Sequence, residues 1–333
     1  MRRGKRAKMR IDGLLIVDKP EGITSMEVVR DIKRRFRVSK AGHIGTLDPF
    51  ATGVLPIVIN EGTKLVPFLN EEPKEYRATL KLGEETKTDD PTGEVTSRGP
   101  LEGISPETVQ AAFEAFKGRI LQTPPMFSAV KVGGRPLYRL ARQGIEVERK
   151  EREVTIFDLQ IEAMDFPWIA FRVACSKGTY VRTLARDIGR KMGCGAHLFR
   201  LRRVRSGPYT IEKAISMDCL RRFFKAEELR PWLIALEDAL PGIPGLIGDE
   251  RLVKKVRFGN EMMVSDLVPG SFPGIERGQW VKIVCPRDGL VAILKSEIEG
   301  EELGKADPQA IAFRPLRVFH PKNDLRQESS ASI

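Results

Sequence analysis

The sequence predicts an α/β fold that carries a second, β-rich unit at its C-terminal end. Three observations predict it. Apolar runs of strand length alternate, along residues 13–192, with segments of helical period. The composition changes at Pro241-Gly-Ile-Pro-Gly245, after which short strand patterns alternate with turn residues. The length, 333 residues, suits one large domain plus a smaller one, and such a chain can bury a core without disulfides or a structural metal.

Taken in order, residues 1–10 are basic, lack apolar periodicity and read as a solvated arm. Gly13-Leu-Leu-Ile-Val-Asp18 reads as a buried strand that stops at the turn Lys19-Pro-Glu-Gly22. Thr24-Ser-Met-Glu27 is a capping box, and Val28, Val29, Ile32 and Phe36 share one face of the helix it opens. A loop dense in glycine, 40–53, leads into the apolar run 54–59. Tyr76-Arg-Ala-Thr-Leu-Lys-Leu82 alternates with period two, as a half-buried strand does. Ser105-Pro106 starts a helix with proline at its first position. Residues 124–152 are charged and aperiodic, an unusually long loop for a compact domain. Strand patterns return at 154–161 and 169–175. A helix follows over 180–192 and closes at Gly193. Residues 200–205 read as a basic segment and 216–240 as helical. After the boundary come strands near 280–284 and 290–294, then a polar tail, 322–333.

Lysine and arginine number 56 against 45 aspartates and glutamates, a net charge of +11. That excess favours a polyanionic partner, a nucleic acid or an anionic membrane face. The four cysteines form no C-x-x-C pair and no two of the three histidines are four residues apart, which argues against a zinc ribbon, a thioredoxin-like motif and a His-rich metal centre. The cysteines fit buried thiols of a reducing cytosol, so a cytoplasmic location is expected. No apolar run approaches the roughly 20 residues of a membrane span. The 11–17 run is too short for a signal peptide.

The chemistry concentrates in Gly42-His-Ile-Gly-Thr-Leu-Asp-Pro-Phe-Ala-Thr-Gly53. Three glycines and a proline fix a tight path with Asp48 near its centre. In isolation such an aspartate closes an Asx-turn. Here it lies between a helix and a buried strand, a platform suited to a site. A lone carboxylate does not suit ordinary glycoside hydrolysis, which uses a pair. It can serve as nucleophile, as base or as partner of a developing oxocarbenium. In a basic chain it points to chemistry on the sugar–base unit of a nucleic acid.

Several segments together resemble the bacterial tRNA pseudouridine synthases of the TruB family. They are Gly13-Leu-Leu-Ile-Val-Asp-Lys-Pro20, the 42–53 loop, Thr63-Lys64, Lys74-Glu-Tyr76, Cys175-Ser-Lys-Gly-Thr-Tyr-Val-Arg182, Gly193-Cys-Gly-Ala-His197 and Leu201-Arg-Arg203. They stand in family order across roughly residues 10–210. The family pattern has leucine where Phe50 stands, a hydrophobic exchange. The resemblance implies a mixed, mainly antiparallel sheet flanked by helices over 11–240, then a PUA-like β-barrel over 246–321. It implies isomerisation of the T-loop uridine, position 55 of tRNA, with no cofactor because the reaction has no net redox change.

Residue by residue, the resemblance makes Asp48 the catalytic carboxylate, by attack on C1′ or C6 or by abstraction of the 2′ proton. Arg182 is implied to pair with it and lower its pKa. Tyr76 is implied to stack on the base and to assist proton transfer, Tyr180 and Leu201 to line the pocket, and His43 to contact the flipped nucleotide. Residues 124–152 correspond to an insertion that clamps RNA, and Arg200, Arg202, Arg203 and Arg205 offer further phosphate contacts. His197 reads as structural. The implied partner is tRNA, through its T-arm and its acceptor stem, bound by a monomer. Two rivals are a noncatalytic tRNA-binding or folding module and a glycosylase that uses the same aspartate. The first has no use for an acid facing phosphates, and the second releases free base.

Overall fold

The computed structural model describes residues 11–69, 72–267 and 274–320. The basic arm, the polar tail and residue 321 lie outside the described residues.

A mixed, mainly antiparallel sheet organises the described residues between 11 and 240. Its main path runs Ile215–Ser216, Gly13–Lys19, Thr52–Ile59, Ala196–Ser206, Lys74–Leu82, Trp168–Cys175, Arg152–Asp165, Gly118–Gln122. The central contact, between Thr52–Ile59 and Ala196–Ser206, is parallel and pairs Arg202 with Thr52 and Arg203 with Gly53. The end of the glycine-rich loop is thereby set against the middle of the sheet.

The Ser25–Arg35 helix starts as its sequence dictates. Thr24 Oγ1 accepts from the Glu27 N–H at 3.1 Å, and Glu27 Oε2 accepts from the Thr24 N–H at 2.7 Å. Such a cap contributes about 1 kcal/mol. Val28, Val29 and Ile32 then go into the core. The Pro106–Glu114 and Val181–Lys191 helices join the same core. Phe113 meets Phe171 edge-on, with ring centroids 5.4 Å apart.

A second sheet is ordered Gly245–Ile247, Trp280–Cys285, Gly289–Ser296, Ile311–Val318, Met262–Met263, with the Glu250–Arg257 helix packed beside it. It has its own core around Val281, Ile283 and Phe313. Leu290, Ile293 and Phe319 belong instead to a cluster with Leu14 and Ile16 of the first sheet and Leu65 of the 3-10 segment Asn60–Phe68. Lys282 Nζ donates to the carbonyls of Glu237 (2.6 Å) and Leu240 (2.8 Å), which reinforces this junction.

The structure departs from the sequence reading in three places. The basic 200–205 segment lies within the Ala196–Ser206 strand at the centre of the sheet. Register shifts between Leu198 and Arg200 and between Arg203 and Arg205 interrupt its period-two signal. Residues 216–240 are not one helix. The α-helix stops at Arg222, a 3-10 turn spans Ala226–Trp232 around Pro231, and the short strand Leu233–Ile234 follows. The 124–152 segment contains a short hairpin, Lys131–Val132 with Arg135–Pro136, and the Leu137–Arg142 helix.

Candidate active site

The Asp48 loop is held from below. Ser25 Oγ donates to the Leu47 carbonyl (3.0 Å) and accepts from the Leu47 N–H (2.9 Å). The Gly22 N–H donates to the Pro49 carbonyl at 2.8 Å. Lys19 is fully buried, and its ammonium donates to the carbonyls of Pro20, Ile23 and Pro49. Burial lowers its pKa to about 8, against the attraction of Asp48.

With its backbone fixed, Asp48 turns its carboxylate to Arg182: Oδ2 lies 2.9 Å from Nε, with a third of the Asp48 side chain (33%) and 4% of Arg182 exposed. A surface role for Arg182 is thereby excluded. Its Nη1 donates to the Thr88 carbonyl (2.9 Å) and to Asp90 Oδ2 (3.3 Å), and its Nη2 to the Phe127 carbonyl (2.9 Å). A guanidinium so fully used is locked in one orientation.

Asp90 was not among the residues the sequence singled out. Its Oδ1 accepts from Thr88 Oγ1 (2.6 Å), from the Thr92 N–H (3.0 Å) and from Thr92 Oγ1 (2.5 Å). The Asp-Pro-Thr-Gly pattern at 90–93 signals the turn, but nothing local in it signals Arg182.

The expected lowering of the Asp48 pKa is not the net result. Burial pushes it above the usual carboxylate range, and Asp90 adds like-charge repulsion. Arg182 and Lys19 pull it back without cancelling the rise. The pair thus holds an activated carboxylate in a poorly solvated place.

All six residues expected at the site line one cleft of about 1200 Å³: His43, Asp48, Tyr76, Tyr180, Arg182 and Leu201. They come from separate parts of the chain, and the sheet brings them together. Tyr76 is buried on the Lys74–Leu82 strand. Burial raises its hydroxyl to about 12, so it is a neutral phenol at neutral pH. Tyr180 is clamped by Gln122, which accepts its N–H at 3.0 Å and donates to its carbonyl at 3.3 Å. His43 ends the Ala41–His43 strand, and burial together with the charge of Arg203 lowers its pKa. His197 lies apart from this cleft, with Nδ1 3.1 Å from the Glu84 carbonyl.

The arginines of 200–205 divide. Arg202 pairs with Asp18 (2.8 Å), Arg205 pairs with Glu75 (3.2 Å), and Arg200 lies over the Phe199 ring. Arg203 is wholly buried, so it makes no phosphate contact in this structure.

A cleft large enough for a nucleotide, with a carboxylate and guanidinium at its floor and aromatic rings on its walls, is equipped for chemistry at a sugar–base bond. The description "TruB family pseudouridylate synthase (N terminal domain)" matches residues 33–181, and "tRNA pseudouridylate synthase B C-terminal domain" matches 182–241. The chain is 44% identical to a tRNA pseudouridine synthase B of Geobacter sulfurreducens, over 93% of this chain and 100% of that one. It is 42% identical to that of Syntrophus aciditrophicus, over 94% and 100%. Among solved structures, an H/ACA RNP bound to a substrate RNA containing 2′-deoxyuridine matches with TM-score 0.69 at 27% identity, covering 94% of this chain and 86% of that one. A Cbf5–Nop10–Gar1 complex matches with TM-score 0.68 at 30% identity, over the same shares. Fold and comparisons define a pseudouridine synthase. Within that class, the chain belongs to the TruB family of pseudouridylate synthases.

Proposed function

We propose that this protein isomerises the T-loop uridine of tRNA to pseudouridine, with Asp48 as nucleophile. The reaction breaks the C1′–N1 bond, turns the uracil and joins C5 to C1′. The proton lost from C5 is balanced by one gained at N1, so composition is unchanged. Arg182 orients the carboxylate and favours its ionised form. The Tyr76 ring stacks on the base, and its phenol can donate a hydrogen bond but is not a base at neutral pH. Tyr180 and Leu201 close the walls of the cleft, and His43 meets the nucleotide turned out of its stack. The 124–152 segment, which brings Tyr138 and Arg142 to the cleft, clamps the RNA loop. The five-stranded C-terminal sheet acts as a PUA-like domain against the acceptor stem, and the protein works as a cytoplasmic monomer.

The observation that carries this reading is the 2.9 Å Asp48–Arg182 pair inside the cleft. A noncatalytic RNA binder has no need for a carboxylate there, where it repels phosphates. The test is incubation of the full chain with unmodified tRNA, followed by mapping of pseudouridine by carbodiimide labelling. A new stop at the T-loop uridine is expected. Bound but unmodified tRNA would favour the noncatalytic alternative, and released uracil a glycosylase.

A further inference from the structure

Arg203 is the largest fully buried side chain among the described residues, and the reaction as outlined makes no use of it. Its Nε donates to the Val54 carbonyl and its Nη2 to the Gly45 carbonyl, each at 2.7 Å. These carbonyls bracket the Asp48 loop, one on either side of the carboxylate in sequence. In the sheet, Arg203 stands in register between Gly53 on one neighbouring strand and Tyr76 on the other. Gly53 has φ +104°, and a Cβ there would come within 2.1 Å of the Arg203 carbonyl oxygen. The close approach of the two strands therefore depends on glycine at this position.

No carboxylate lies within salt-bridge distance of Arg203 among the described residues, and its Nη1 completes no hydrogen bond there. A buried cation without a counter-ion is costly. Two carbonyl bonds alone could be met by neutral donors, so the charge calls for another explanation. Its field falls on two groups that line the cleft, the Tyr76 hydroxyl and the His43 imidazole, whose buried Nδ1 is also without a partner among the described residues.

We infer that Arg203 is a positioning residue that staples the Asp48 loop to the central strand and sets a buried positive charge behind Tyr76 and His43 in the lining of the cleft. The inference rests on the pseudouridine synthase reading. Its two parts are separable. The fork of the guanidinium fixes the loop, and the charge adds to burial in disfavouring protonation of the neighbouring imidazole.

Two variants of the full chain test this, Arg203→Lys and Arg203→Gln. The first keeps the charge and loses the fork. Its kcat on unmodified tRNA is expected to fall roughly 10- to 100-fold, as for a small misplacement of a reacting group. Its RNA affinity should stay within about threefold, and amide exchange should quicken over residues 45–54 alone. The second variant also loses the charge, so kcat should fall further. With three histidines in the chain, the imidazole of His43 can be followed by NMR. Its pKa should rise in Arg203→Gln and hold in Arg203→Lys, a difference that loss of packing alone does not produce. Wild-type kcat in Arg203→Lys, or an unmoved His43 titration in folded Arg203→Gln, overturns the inference. Should Arg203→Gln not fold, exchange in Arg203→Lys decides: wild-type protection over 45–54 removes the staple. If the wild-type chain forms no pseudouridine, the functional reading fails, while the exchange and titration results still stand or fall by themselves.

Discussion

Nη1 of Arg182 lies 3.3 Å from Oδ2 of Asp90, while Nε of the same guanidinium lies 2.9 Å from Oδ2 of Asp48. Asp90 is nearly inaccessible, and its other oxygen is held by Thr88 and Thr92. The 90–93 turn thus fixes one edge of the guanidinium, and the carboxylate at the cleft takes another. The arrangement sets Asp90 two opposed tasks. It orients Arg182, and as a like charge it raises the Asp48 pKa.

Asp90→Asn separates these tasks. Loosened orientation should lower kcat about 10- to 100-fold with little change in RNA affinity. Loss of the like charge should move the acid limb of the kcat/KM profile to lower pH, because Asp48 then ionises more easily. Single-turnover rates across pH 4–8 measure both. An acid limb that moves up instead would mean that Arg182, no longer held, has left Asp48.

Asp48→Asn should remove turnover by several orders of magnitude while RNA affinity stays within about tenfold, because the role of the carboxylate is confined to the chemical step. The same change should stabilise the fold. The folded-state pKa of Asp48 lies above its unfolded value, so its charge costs stability at neutral pH. The variant should melt at a higher temperature at pH 7. That advantage should fade as pH falls through the raised folded pKa towards about 4, the ordinary aspartate value. Calorimetry at pH 4, 5.5 and 7 checks the trend. A variant less stable than wild type at pH 7 would mean that the carboxylate is structural.

Lys19 gives a signal of opposite pH range. Its folded pKa is about 8, below the ordinary lysine value of 10.5. Between those values the unfolded chain binds a proton that the folded chain does not, so the contribution of Lys19 to stability rises with pH across that window. The stability of wild type minus that of Lys19→Met should therefore increase from pH 8 to 10. Urea denaturation of both proteins at several pH values measures it, and a flat difference would refute the shift.

Local chemistry made much of the fold legible. The Thr24–Glu27 box, the alternation over 76–82 and the Ser105-Pro106 start each act within a few residues, and each produced the element expected. Long-range effects hid the remainder. The two register shifts in Ala196–Ser206 concealed a central strand, and the arginines on it suggested a solvated stretch. Arg182 has the sequence context of a surface helix charge. Its burial depends on Asp48, Thr88, Asp90 and Phe127, which are distant in the chain. The six cleft residues could be nominated together through family likeness, because no spacing in the sequence groups them. Asp90 was missed because an aspartate before Pro-Thr-Gly is explained by its own turn.

Two exposed cations at the cleft bear on how RNA is held. Arg30, on the Ser25–Arg35 helix, and Arg142, whose guanidinium lies 5.7 Å from the centroid of the Tyr138 ring, both line the cleft. Neither makes a salt bridge among the described residues, so both are available to phosphates. Binding of tRNA should weaken linearly on a log–log plot against salt, with a slope of roughly −0.7 to −0.9 for each phosphate contacted. Arg30→Gln and Arg142→Gln should each make that slope shallower by about one such step, and the double variant by two. At saturating RNA both single variants should retain kcat within about threefold, because neither guanidinium is described in contact with Asp48 or Arg182. Filter binding at 50 to 300 mM salt, with single-turnover rates on the same proteins, tests the pair of statements. A slope unchanged in either variant would take that arginine out of the phosphate path, whereas a kcat loss as large as that of Asp90→Asn would place it in the chemistry.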